Sequence, residues 1–141
     1  MKKLILMLLP FLLTFSCKTT KPVSPDTFQG NQLIFGNGGG VANQVTEYTL
    51  LENGQLFLKK SGGEERKEIK KLKAKMVKGI FSRAEKLNID KTVFNHPGNM
   101  TFFVTLKLPA GSHTIQWGDN DYTVPPDILS FYNYLFVCIH P

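Results

Sequence analysis

The chain has 141 residues, of which 42% are hydrophobic and 20% charged, with a formal net charge of +6. Those proportions exclude a disordered, collagen-like or low-complexity chain and fit one small globular domain. Lys2 and Lys3 account for two of the six excess charges, so the body of the chain is only mildly basic, and its Lys-rich segment from Lys59 to Lys91 lacks the aromatic interleaving of a nucleic-acid binder.

In chain order, Lys2 and Lys3 precede an apolar run from Leu4 to Phe15 that only Pro10 and Thr14 interrupt. The run is too short to anchor a protein by spanning a bilayer and has the form of a cleaved leader. Ser16-Cys17 follows, and the whole resembles a bacterial lipoprotein signal peptide. The resemblance implies a signal over residues 1–16, a diacylglycerol on the Cys17 thiol and acylation of the new amino terminus. Thr14-Phe15-Ser16 departs from the usual Leu-Ala-Gly type before the cysteine, and an ordinary secretory signal cleaved nearby is the other reading. Two acyl chains give stable attachment, because each buried methylene contributes ~0.8 kcal/mol and one chain alone binds marginally. Lys18 rather than an aspartate after the cysteine resembles outer-membrane sorting. With no acidic export tract, the expected place is the outer membrane, facing the periplasm.

Residues 17–28 are polar, carry two prolines and read as a lipidated tether, with one domain over 29–141. Gln32 to Phe35 reads as a strand, Gly36 to Gly40 as a glycine-rich loop, and Val45 to Leu51 as a second strand. Asn53-Gly54 turns the chain into Gln55 to Lys60. Glu65 to Ile69 reads as a short polar edge strand whose charges discourage further pairing. From Leu72 the period changes: Met76, Val77, Ile80, Phe81, Ala84 and Leu87 share one helical face. Gly79, within that helix, is expected to let it approach a strand. Asn95-His96-Pro97-Gly98-Asn99 reads as a shaped loop. Met100 to Leu108 alternates cleanly as a strand, Pro109 to Ser112 turns, and His113, Ile115 and Trp117 fall on one side of the next strand. Pro126 opens a helix that runs to Ile139.

This order predicts an α+β fold: an antiparallel sheet of four to six strands with two main helices packed on one face. Phe102, Val104, Leu106, Ile115, Ile80, Phe81, Leu87 and Leu135 are the expected core. Gly39-Gly40-Val41-Ala42-Asn43 after a strand, Ile80-Phe81 in a helix, an aromatic strand, His113 to Asp119 and a proline-led last helix together resemble emfourin-type protease inhibitors. In those inhibitors an aromatic and a glycine stand where this chain has Val41 and Asn43. The resemblance implies a thermolysin-like protease as protein partner, met by Gly38, Gly39, Gly40, Val41, Ala42 and Asn43. The Pro-Gly-Asn loop and Trp-Gly-Asp turn equally resemble those of uncharacterised small bacterial lipoproteins.

Other chemistry finds little support. Gly36 to Gly40 is no dinucleotide loop, because Val41 stands where the third glycine belongs and a strand follows. Asp119-Asn120-Asp121 begins like a calcium loop, but Val124 and Ser130 occupy the positions of its glycine and glutamate, so it reads as a solvated turn. His96, His113 and His140 lack ligand spacing, and His113 reads as a strand-face histidine bonded to backbone. Cys138, between Val137 and Ile139, reads as a small buried residue, and Trp117 as core or rim. From Lys59 to Lys91 twelve basic residues meet five acidic ones, which reads as a solvated face with reach toward an anionic surface or acidic partner. No catalytic residue, cofactor or metal site is read. The favoured function is therefore a non-enzymatic envelope lipoprotein presenting a binding domain; the alternative is a structural lipoprotein with no diffusible ligand. Intact-mass measurement of the protein from membranes should show acyl mass on Cys17, and Cys17→Ser should block lipidation and leave unprocessed or mis-cleaved protein; an unacylated wild type would refute the anchor.

Overall fold

The computed structural model describes residues 23–63 and 65–140; the expected signal peptide and Cys17 lie outside them. Its elements are β1 (Gln32–Gly39), β2 (Gln44–Leu51), β3 (Gln55–Lys60), β4 (Lys67–Lys71), α1 (Ala74–Lys86), β5 (Asn95–His96), β6 (Met100–Leu108), β7 (Gly111–Trp117) and α2 (Pro126–Ile139). They form an α+β fold with one sheet in the order β4-β3-β2-β1-β6-β7-β5. The sheet has seven strands, not four to six, and it is mixed rather than antiparallel. The difference is β5, whose two residues pair in parallel with Gln116 and Trp117. A two-residue pairing across twenty positions has no local hydrophobic period, so the stretch reads as loop.

β1 corrects a second expectation. Gly36, Asn37, Gly38 and Gly39 are not a loop but the second half of a central strand, paired on one side with β2 and on the other with β6. Only residues 40–43 turn. Glycine is a weak strand former, and here the pairing on both sides overrides it.

Alternation sorts the sheet into two faces. Leu33 and Phe35 of β1 lie beside Leu50 and Tyr48 of β2 and beside Leu106 and Val104 of β6; Ile115 and Trp117 of β7 extend the same face. Both helices cover it, α1 through Val77, Ile80 and Ala84 and α2 through Ile128, Phe131, Tyr132 and Leu135, and all belong to one core. Of the expected core, Val104, Leu106, Ile115, Ile80 and Leu135 are buried, while Phe102, Phe81 and Leu87 are partly buried against it. Gly79 does not approach a strand: it is exposed, and a β-carbon there would meet nothing within 4 Å. Pro126 sits at the start of α2 as expected, and Cys138 is buried on that helix.

The opposite face carries Gln32, Thr49, Leu51 and Phe57, all buried. Part of the stretch expected as tether lies against it. Gln32 Nε2 donates to the Pro25 carbonyl at 2.9 Å, and Arg66 pairs with both Asp26, at 3.0 Å, and Glu47, at 3.1 Å. No helix among the described residues is long and apolar enough to cross a membrane.

Urea unfolding tests this arrangement. Phe35→Ala removes a fully buried ring and should cost about 3–5 kcal/mol. Gly79→Ala, on an open helix surface, should stabilise by about 1 kcal/mol. A loss on Gly79→Ala would mean that this face of α1 is covered.

Candidate functional site

The expected contact residues sit at one end of the sheet, where three loops meet. The hairpin tip between β1 and β2 is closed by the Asn43 amide, which donates to the Gly40 carbonyl at 3.0 Å. Asn43 takes φ of 44°, a left-handed conformation that asparagine tolerates. At the tip Val41 is fully exposed, and its neighbours Ala42 and Asn43 are exposed as well. The Gly40 amide donates to the Asn99 carbonyl at 2.8 Å, which ties the tip to the Pro97-Gly98-Asn99 loop. The Asp119 amide donates to the His96 carbonyl at 3.0 Å, which ties that loop to the turn after β7.

These loops meet backbone to backbone. A β-carbon on Gly39 would collide with the Asn99 carbonyl, one on Gly98 with the Gly118 carbonyl, and one on Gly118 with the Met100 carbonyl. Glycine is required at each point because no side chain fits between the strands' ends. The loops border a shallow cradle of about 540 Å³ on the sheet's second face, with Gly38 and Gly39 along one wall and Phe103, Val45 and Gln116 along the others. None of its eleven lining residues is ionisable. Such a surface offers amides, carbonyls and one aromatic edge, which suits a peptide segment and provides no acid or base.

The cradle is propped from the helix side. Tyr132 Oη donates to the Gly36 carbonyl at 3.0 Å in a buried contact. Its ring packs edge-on against Trp117, with centroids 5.1 Å apart, and against Phe102, at 5.9 Å. Trp117 is thus part of the aromatic block beneath the cradle and does not form a binding platform. Burial pushes the Tyr132 phenol up to about 12, against the opposing hydrogen bond of the Asn37 side chain.

The histidines do not converge. His113 Nε2 meets the Thr92 carbonyl at 2.6 Å, the backbone pairing expected for it; His96 stacks on Tyr122 at 3.8 Å; His140 Nε2 lies 3.3 Å from Tyr48 Oη. Asp119 Oδ1 accepts from the Asp121 amide at 3.0 Å, closing a local turn. Among the described residues no group of three His, Cys, Asp or Glu is placed to hold a metal ion.

Sequence reasoning missed a second cavity of about 890 Å³, between α1 and the ends of β2 and β6. Val77, Phe81, Leu106 and Leu108 line it, with Glu52 and Asp90 among its acidic residues. Its apolar residues obey the same periods as core residues, so nothing local marks them as lining an opening. No protein-family model matches the chain, and no curated protein matches it. The resemblance to emfourin-type inhibitors rests on the short motifs and element order quoted for it.

Tyr132→Phe removes one buried hydrogen bond and should cost about 0.5–1.5 kcal/mol at neutral pH. Because its folded pKa is raised, the wild type should hold this contribution below pH 10 and lose it as pH rises toward about 12. The variant should lack that alkaline component in urea titrations; equal alkaline slopes would contradict the assigned environment.

Proposed function

We propose that the chain is a lipid-anchored, non-enzymatic envelope protein that presents the Gly38–Asn43 tip and the adjoining cradle to a protein partner. The observation that carries this reading is the construction of the tip. Its backbone is held by a hydrogen bond and a close glycine contact to the Pro97-Gly98-Asn99 loop, which is itself tied to the turn after β7, yet Val41 stands fully in solvent. A pre-shaped loop loses little conformational entropy on binding, so a small surface can reach useful affinity. The neutral, amide-lined cradle beside it suits an extended peptide segment.

The partner implied by the resemblance is a thermolysin-like metalloprotease, blocked when the tip enters its cleft. The test titrates the detergent-solubilised lipidated protein against several such enzymes. Inhibition is expected, and Val41→Asp should weaken it by about tenfold or more while circular dichroism stays unchanged, since Val41 touches no core residue. No inhibition at micromolar excess would remove the protease as partner. Inhibition indifferent to Val41→Asp would move the contact away from the tip.

A further inference from the structure

Charge is distributed unevenly over this chain. Between Lys59 and Lys75, which cover the end of β3, all of β4 and the start of α1, eight basic residues meet three acidic ones. Over the rest of the described domain five basic residues meet eight acidic ones. Within the basic segment, Arg66 is neutralised by Asp26 and Glu47, and Lys70 Nζ donates to the Ile139 carbonyl at 2.9 Å. Lys60, Lys67, Lys71, Lys73 and Lys75 are exposed, and none makes an ion pair among the described residues. Glu65 and Glu68 are the exposed acids beside them, and Glu68 accepts a hydrogen bond from Gln55 at 2.9 Å.

The start of the domain is pinned at this same edge. Asp26 pairs at 3.0 Å with Arg66, the residue immediately before β4. Five residues separate Val23 from Cys17, so the two α-carbons lie at most about 20 Å apart even when the chain is fully extended. That connection adds Lys18 and Lys21 and no acid. An acyl group on Cys17 therefore keeps the basic edge within reach of the bilayer, and on contact its lysines come within a Debye length, about 8–10 Å, of the lipid phosphates.

We infer that the edge formed by β4, the end of β3 and the first turn of α1 docks on an anionic phospholipid surface and sets the orientation of the anchored domain. The inference rests on the lipid-anchor reading. Lysine headgroups exchange solvent for phosphate oxygens, and the released counterions make the contact sensitive to salt. β4 is an edge strand two places from β2, whereas the cradle is lined by β2, β1, β6, β7 and the loops at their ends. Edge-on docking leaves the cradle open to a partner.

The experiment reconstitutes the full lipidated protein into vesicles of phosphatidylcholine alone and of phosphatidylcholine with phosphatidylglycerol. Attachment is scored by flotation and each lysine by the rate of amine acetylation, read by mass spectrometry. The protein should float with both vesicles. Lys67, Lys71 and Lys73 should then label about threefold or more slowly on the anionic vesicles, an effect that raised salt erases, with Lys91 and Lys107 unchanged as internal references. Lys67→Glu with Lys71→Glu should float equally well and lose the protection of Lys73. Flotation with equal labelling on both vesicles would overturn edge docking and leave the anchor standing. Failure to float with either vesicle would refute the anchor, and docking stated for an anchored domain would fall with it.

Discussion

Everything in this fold hangs on the division of its central strand. The first half of β1 carries Leu33 and Phe35, both wholly buried beneath the helices. The second half, Gly36 to Gly39, carries a single side chain, that of Asn37. The bulky half supplies hydrophobic stabilisation of about 1.5–3 kcal/mol per large side chain, and the bare half spends conformational entropy without such a return. What the bare half permits is approach: backbone from β2 at Gly36 and from the Asn99 loop at Gly39 closes to distances that any β-carbon would block. A glycine-rich segment that would wander in isolation becomes the middle of a seven-stranded sheet.

The two faces of the sheet answer this division differently. On the helix side, Tyr132 fills the space over the bare half, bonds to the Gly36 carbonyl and joins Phe102 and Trp117 in one aromatic block. On the other side no described residue fills it, and the shallow cradle is the result. The lower half of that second face, around Gln32, is met by the Pro25 region, so the glycine end is the part that the described residues leave open. One open, neutral and rigid surface beside a fully exposed valine is a reasonable design for recognition, because the loops are already ordered before a partner arrives. The charged residues lie mostly elsewhere, along β4 and α1, which separates the surface proposed for protein recognition from the one proposed to meet lipid.

Much of the fold was legible because its cause is local. Alternation placed β6 and β7, the Asn53-Gly54 pair placed the β2–β3 turn, Pro126 marked the start of α2, and the spacing of Val77, Ile80 and Ala84 marked α1. What was not legible depends on distant partners. Gly36 to Gly39 read as loop because glycine has poor strand propensity, and only pairing with β2 and β6 reverses that preference. β5 rests on two residues matched to the end of β7. Gly79 departs from its expected place for a local reason: at 100° per residue it falls on the far side of α1 from Val77, Ile80 and Ala84, so the helical phase itself turns it to solvent. At the candidate site, the tip Gly38 to Asn43 was singled out for its composition, but its union with Pro97-Gly98-Asn99 and Gly118 is a tertiary fact. Three glycines at remote positions, each preceding or following a turn, are the one trace it leaves in the sequence.

The claim that most of this depends on is that the tip and its neighbouring loops form a rigid surface and not three mobile ends. Native-state hydrogen exchange at individual amides measures it directly. The Gly40 amide, bonded to the Asn99 carbonyl, and the Asp119 amide, bonded to the His96 carbonyl, should open with free energies within about 1–2 kcal/mol of the Phe35 amide in the core of β1. Exchange of either amide within about tenfold of the unprotected rate would contradict it, since the loops would then be open in solution and no pre-shaped cradle would exist.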